Sequence, residues 1–102
     1  MPPLRGHHAI KVQTGHYALF AVATVELELV EGPSELRLCA PEGAWSPEPW
    51  RPGAQFGLAY AFERAGEHRR FITTVTLKAM AVDSPPAVVA LAVARAALAA
   101  LG

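Results

Sequence analysis

Phe71-Ile72-Thr73-Thr74-Val75-Thr76-Leu77 opens the last third of this chain, and Val82-Asp83-Ser84-Pro85-Pro86 then leads into a run of Ala, Val and Leu that continues to Gly102. Thr, Val and Ile stiffen the backbone at χ1 and suit a pleated surface, so the first segment reads as a strand. Ser84 followed by Pro85 supplies the chemistry of a helix N-cap and a tolerated first-turn proline. The pattern is a strand from Phe71 to about Ala79, a turn, and a helix from about Pro85 to Leu101. A rotation of about 100° per residue sets Val89, Val93, Ala97, Leu101, Leu98 and Leu91 along one arc, expected to lie on a sheet. The opposite side carries Val88, Ala92, Arg95, Ala96 and Ala99, a bare face expected to be exposed. It has two readings: a self-association surface making the protein a homo-oligomer, or simply good helix formers.

Working back toward the N-terminus, Ile10 and Val12 alternate with Lys11 and Gln13 between Ala9 and Thr14, a period of two that gives a strand with one wet face. Gly15 turns the chain into a second strand, Tyr17 to Val30, where Val22, Val25, Leu27 and Leu29 are interleaved with Glu26 and Glu28. After the turn Glu31-Gly32-Pro33-Ser34, the residues Leu36, Leu38 and Ala40 alternate with Glu35, Arg37 and Cys39 in a short third strand. Pro41 to Pro52 is rich in proline and holds both tryptophans, so it is expected to be loop. Phe56, Leu58, Ala59, Phe62 and Ala65 recur at helical spacing, with Gly66 as a C-terminal stop. The elements therefore run β-β-β-α-β-α, an α+β fold.

A chain of 102 residues makes one domain with one core. Nine basic and nine acidic side chains cancel to a formal charge of zero, which argues against a broad electrostatic footprint for nucleic acid. The lone Cys39 has no internal disulfide partner and is expected to be a packed thiol in a reducing cytoplasm. No secretory leader is read at the start, and Arg95 interrupts an apolar run shorter than the roughly 20 residues a membrane span requires, so no membrane association is expected. Arginine far outnumbers lysine and asparagine is absent, which hints at a thermophilic or GC-rich source.

Several side chains bear chemistry. Arg64, His68, Arg69 and Arg70, with Lys78 at the far end of the strand, form the one basic concentration and could touch an RNA backbone; interleaved Glu63 and Glu67 favour a salt-bridged surface instead. His7, His8 and His16 lie on or beside the first hairpin without metal-ligand spacing, so no metal is assigned. Trp45 and Trp50 either present a hook to a partner or, as favoured here, close the open end of a small core. Phe56 and Tyr60 share a stripe with Glu63 that reads as core packing. No phosphate-binding Gly-x-x-x-x-Gly-Lys-Ser/Thr loop is present, so no nucleotide is bound, and neither a cofactor nor a catalytic residue is expected.

The element order, together with four strings, resembles domain IV of the translational GTPase elongation factor G. Ile10-Lys11-Val12-Gln13-Thr14-Gly15-His16-Tyr17 looks like that domain's first strand and turn, and Trp50-Arg51-Pro52-Gly53-Ala54-Gln55 like the start of its first helix. Gly57, Ala61 and Gly66 fit its first helix, while Val75-Thr76-Leu77 and Val82-Asp83-Ser84 resemble its fourth strand and final helix cap. The likeness spans most of the chain. It implies a four-stranded mixed sheet with two helices on one face, joined by a left-handed βαβ crossover, and association with the ribosome or RNA. The two loops by which the family reaches into the ribosome are cut short here: the Gly-Arg-Gly insertion before Tyr17 is missing, and Lys78-Ala79-Met80-Ala81 replaces the loop bearing tyrosine and histidine. No functional residue is carried over to those tips.

Overall fold

The sheet is built around its second strand. Tyr17–Leu29 (β2) sends Ala21, Ala23, Val25 and Leu27 to one face, each at most 1% exposed, because neighbouring strands flank it on both sides and helices cover that face. Leu4–Thr14 (β1) pairs antiparallel with it through a two-residue turn at Gly15-His16, and Phe71–Ala79 (β4) pairs antiparallel on its other side. Glu35–Cys39 (β3) joins β4 in parallel, so the order across the sheet is β1-β2-β4-β3. This is the mixed four-stranded α+β arrangement expected from the sequence. The computed structural model describes residues 2–41, 45–80 and 83–102.

Two helices complete the fold. Arg51–Ala65 (α1) is introduced by a 3-10 turn at Glu48–Trp50, so the proline-rich segment is not wholly loop; residues 42–44 of it lie outside the described residues. Glu48 grips the Arg51 guanidinium through both carboxylate oxygens, at 2.7 and 2.8 Å. At the other end Gly66 takes φ 65°, a left-handed conformation that costs glycine nothing, and the Glu67 N–H donates to the Phe62 carbonyl oxygen at 2.9 Å. Pro86–Leu101 (α2) packs on α1 and across β1 and β2.

The helix layer is assembled through small residues. An added Cβ on Gly57 would collide with the carbonyl oxygen of Ala90 in α2, and one on Gly53 would sit 3.0 Å from the carbonyl oxygen of Pro86. Gly6 of β1 is closer still, its missing Cβ falling on the Ala96 carbonyl oxygen and 2.5 Å from the Ala100 nitrogen. The Ala-rich side of α2 is therefore used inside the molecule. Val88, Ala92 and Ala96, expected to be exposed, are buried, and only Arg95 and Ala99 of that set face solvent. Leu91, placed on the sheet-facing arc, is instead 44% exposed, since two residues of helix carry it about 200° from both Val89 and Val93.

Two further expectations are corrected. The strand β1 begins at Leu4, not Ala9, because pairing with the second half of β2 draws Leu4-Arg5-Gly6-His7-His8 into the ladder. Ser84 does not cap α2: Pro85 holds the N-cap position, and the Ser84 hydroxyl turns toward the sheet.

Candidate functional site

The β1–β2 hairpin and the start of the segment leading into α2 meet at one end of the sheet. Residues 13–18 of the β1–β2 hairpin and Asp83, just before α2, line a polar notch of about 400 Å³. Tyr17 is 58% exposed beside it, and His16 lies at the turn. The segment carrying Asp83 is stapled to the hairpin. The Phe20 N–H donates to the Asp83 carbonyl oxygen at 2.8 Å, and the Ser84 hydroxyl donates to the Phe20 carbonyl oxygen while accepting the Met80 N–H at 2.7 Å. Ser84 is 4% exposed, so its hydroxyl is a buried group with both hydrogen-bonding roles met. Trp50 adds a fourth contact, its Nε1–H donating to the Ser84 carbonyl oxygen at 2.8 Å. The Asp-Ser pair thus anchors the tip. Ala81 and Val82, beside it, lie outside the described residues.

Trp50 packs against the core as expected, whereas Trp45 is 84% exposed and closes nothing. Cys39 is exposed rather than packed, because the alternation that turns Leu36 and Leu38 inward sends it to the sheet face without helices. His7 and His8 are neighbours in a strand and so point to opposite faces. His7 Nδ1 lies 2.9 Å from Thr24 Oγ1 on the open face, and His8 Nε2 lies 3.5 Å from Arg95 Nη1 on the helix side.

The basic residues singled out in the sequence are not one patch. Arg64, His68, Arg69 and Arg70 lie at the α1–β4 connection, all exposed. Lys78 is eight residues further along β4, about 25 Å away at the rise of an extended strand. Arg69 is also committed. It pairs with Glu67 at 2.6 Å and lies 5.4 Å from the centroid of the Phe71 ring, while its guanidinium and then its backbone N–H hold the Glu67 carboxyl down at about 2. Lys78 instead places its ammonium 5.9 Å from the centroid of the Phe20 ring.

A second concavity was not legible in the sequence. Pro52, Phe56 and Tyr60 of the first helix face Pro86, Ala87 and Leu91 of the second across an apolar groove of about 520 Å³. Phe56 is 70% exposed and Tyr60 52%, so neither belongs to the core. Gly53, Gly57 and Ala61, at every fourth position, take the buried side of α1 and leave the aromatic rings outside.

No family model matches the chain, and no curated protein matches it in sequence. Among solved structures, the crystal structure of a protein from Thermus thermophilus is similar, with a TM-score of 0.71 at 16% identity over 94% of this chain. At that identity the likeness is one of fold. The chain spans 15% of the length of that protein, so the fold occurs there within a much longer polypeptide.

Proposed function

We propose that this chain is a non-enzymatic binding domain of the elongation factor G domain IV type, acting on the ribosome or another RNA through a shortened tip. The observation that carries the reading is the meeting of the trimmed hairpin loop, residues 13–18, with Asp83 of the cap string that follows the second trimmed loop, at one end of a β-β-β-α-β-α sheet. In the family that the sequence resembles, the contacting loops emerge from those two connections. The left-handed sense of the β3–α1–β4 connection is part of the same proposal. The staple through Ser84 and Trp50 supports it as well, since a contact surface held rigidly loses little conformational entropy when it binds.

Co-sedimentation with ribosomes tests it. Binding at low salt that weakens as salt rises is expected, because phosphate contacts release counterions. Absence of the protein from the ribosomal pellet at low salt refutes it.

A second reading is favoured by one observation, the apolar groove between α1 and α2 with Phe56, Tyr60 and Leu91 at its walls. In that reading the domain is a protein-interaction or homo-oligomeric module with no nucleic-acid role. Light scattering that finds a strict monomer at high concentration removes the homo-oligomer.

A further inference from the structure

The face of the sheet opposite the helices is open, and strand register sorts its charges by height. Nearest the α1–β4 connection, one row across the strands carries Glu28, Ile72 and Glu35. The next row runs Arg5, Glu26, Thr74 and Arg37, and the third carries His7, Thr24, Thr76 and Cys39. Beyond it no strand residue carries a carboxylate; Asp83, whose backbone carbonyl accepts the Phe20 N–H, is the acidic residue at this end. Val22 is paired with Lys78, and Phe20 stands directly opposite Lys11, where cross-strand Cβ atoms are about 5 Å apart. Phe20 is therefore an aromatic ring on an open strand face with a lysine on either side, one of them 5.9 Å from its centroid. Each ion pair among the described residues uses an arginine, namely Arg37, Arg51 or Arg69, and neither lysine is in one.

We infer that Lys11, Phe20 and Lys78 form a binding site for single-stranded RNA on the tip half of the open face. This rests on the RNA reading above and extends its contact from the tip loops onto the adjoining open face of the sheet, rather than to the arginines at the α1–β4 connection. Every base has a π-face, so a ring accessible on a sheet accepts a base without sequence preference. An arriving base displaces the Lys78 ammonium from Phe20, and the flexible lysine stem carries that charge to the adjacent phosphate. Lys11 meets the phosphate on the other side. The outermost row at the far end, with Glu28 and Glu35, disfavours a phosphate there. Zero net charge for the whole chain is no obstacle, because the strand carboxylates of this face, Glu26, Glu28 and Glu35, all lie in the half away from Lys11 and Lys78.

Fluorescence anisotropy with a short labelled oligouridine tests the site, alongside ribosome co-sedimentation of the same proteins. Phe20→Leu keeps the apolar bulk and removes the ring; it is expected to weaken oligouridine binding by at least about fivefold, the lower end of base–aromatic stacking. Lys11→Gln with Lys78→Gln is expected to flatten the slope of log affinity against log salt by about 1.4, two phosphates at about 0.7 each. Thermal melts matching the wild type establish that both variants are folded. If the variants bind as the wild type does while Arg64→Gln, Arg69→Gln and Arg70→Gln together abolish binding, the site is wrong and the RNA reading stands. Ribosome binding without oligouridine binding, or equal affinity for duplex RNA, also overturns the site. Failure of the wild type to bind either ribosomes or oligouridine overturns the site and the RNA reading together.

Discussion

Gly6→Ala tests whether the close seating of α2 on β1 determines the stability of this fold. The substitution adds one methyl group. Its Cβ would fall on the carbonyl oxygen of Ala96 and 2.5 Å from the amide nitrogen of Ala100, and both are helix backbone that no side-chain rotation can move. Overpacking a tight site costs about 1–3 kcal/mol, and a clash against backbone belongs in the upper part of that range. An opposing effect exists: alanine restricts the unfolded chain, and where the native conformation suits it this stabilises by about 0.4–1 kcal/mol. Gly66 is the one glycine at positive φ among the described residues, so Gly6 can accept alanine without backbone strain and the opposing effect applies in full. The clash prevails, leaving a net loss of about 1–2 kcal/mol. For a domain of this size that lowers the thermal midpoint by about 5–15 °C, at about 4–8 °C per kcal/mol. Circular-dichroism melts of Gly6→Ala against Gly32→Ala make the comparison, because a Cβ on Gly32 meets nothing within 4 Å, so that variant shows the unfolded-chain effect alone and should melt at or slightly above the wild type. A Gly6→Ala protein melting at or above the wild type would refute the idea that α2 is held at contact distance.

Other perturbations read other parts of the molecule. Ser84→Ala strips the hydroxyl from between the Met80 N–H and the Phe20 carbonyl and removes two part-buried hydrogen bonds, so denaturant unfolding should show a loss of about 0.5–1.5 kcal/mol per bond; a loss below the error of the measurement would remove the staple. Trp50→Phe keeps an aromatic ring against the core but forfeits the bond to the Ser84 carbonyl and should cost about 0.5–1.5 kcal/mol, whereas Trp45→Ala at an exposed position should stay within about 0.5 kcal/mol. Glu67 has its folded-state carboxyl lowered to about 2 from an ordinary 4.5 by Arg69, so its stabilising contribution is present above about pH 4.5 and is lost as pH falls toward 2. The midpoint difference between wild type and Glu67→Gln should therefore be steady above that window and shrink within it; a difference that does not vary with pH would show that the pair contributes nothing to folding.

Those elements that were legible are the ones whose local pattern and tertiary environment agree. In β4 the strand from Phe71 to Ala79 falls where its β-branched run places it, and α1 stops at Gly66 because a left-handed residue ends a helix whatever surrounds it. The first part of β1 had no such local signal. Gly6, His7 and His8 are poor strand residues, and the ladder opposite Val25, Thr24 and Ala23 decides their conformation. Side-chain size misled the reading of both helices. Periodicity places Leu58 correctly in the core, yet the side of α1 that meets α2 is Gly53, Gly57 and Ala61 while Phe56 and Tyr60 are exposed, because two backbones at contact distance leave room only for small groups. On α2 the same preference consumed the alanines that had looked like a bare outer face.

The candidate site was illegible for a different reason. Lys11, Phe20 and Lys78 are separated by nine and then fifty-eight positions in sequence, and no motif links them; only the register Lys11↔Phe20 and Val22↔Lys78 brings them to one face. Counting charges over the whole chain gives zero and conceals the two lysines beside Phe20, and a one-residue slip in either ladder would send one of them to the helix side. Strand pairing is fixed by the apolar side: Gly6, Ala21, Ala23, Val25 and Leu77 must face α2 and the core, and Gly6 leaves no room for a larger residue under Ala96. The packing that seats the helix therefore also dictates what the open face displays. A change at Gly6 that shifted β1 along β2 would move Lys11 away from Phe20, so stability and RNA binding should fail together in that variant, while Lys11→Gln should lower binding alone.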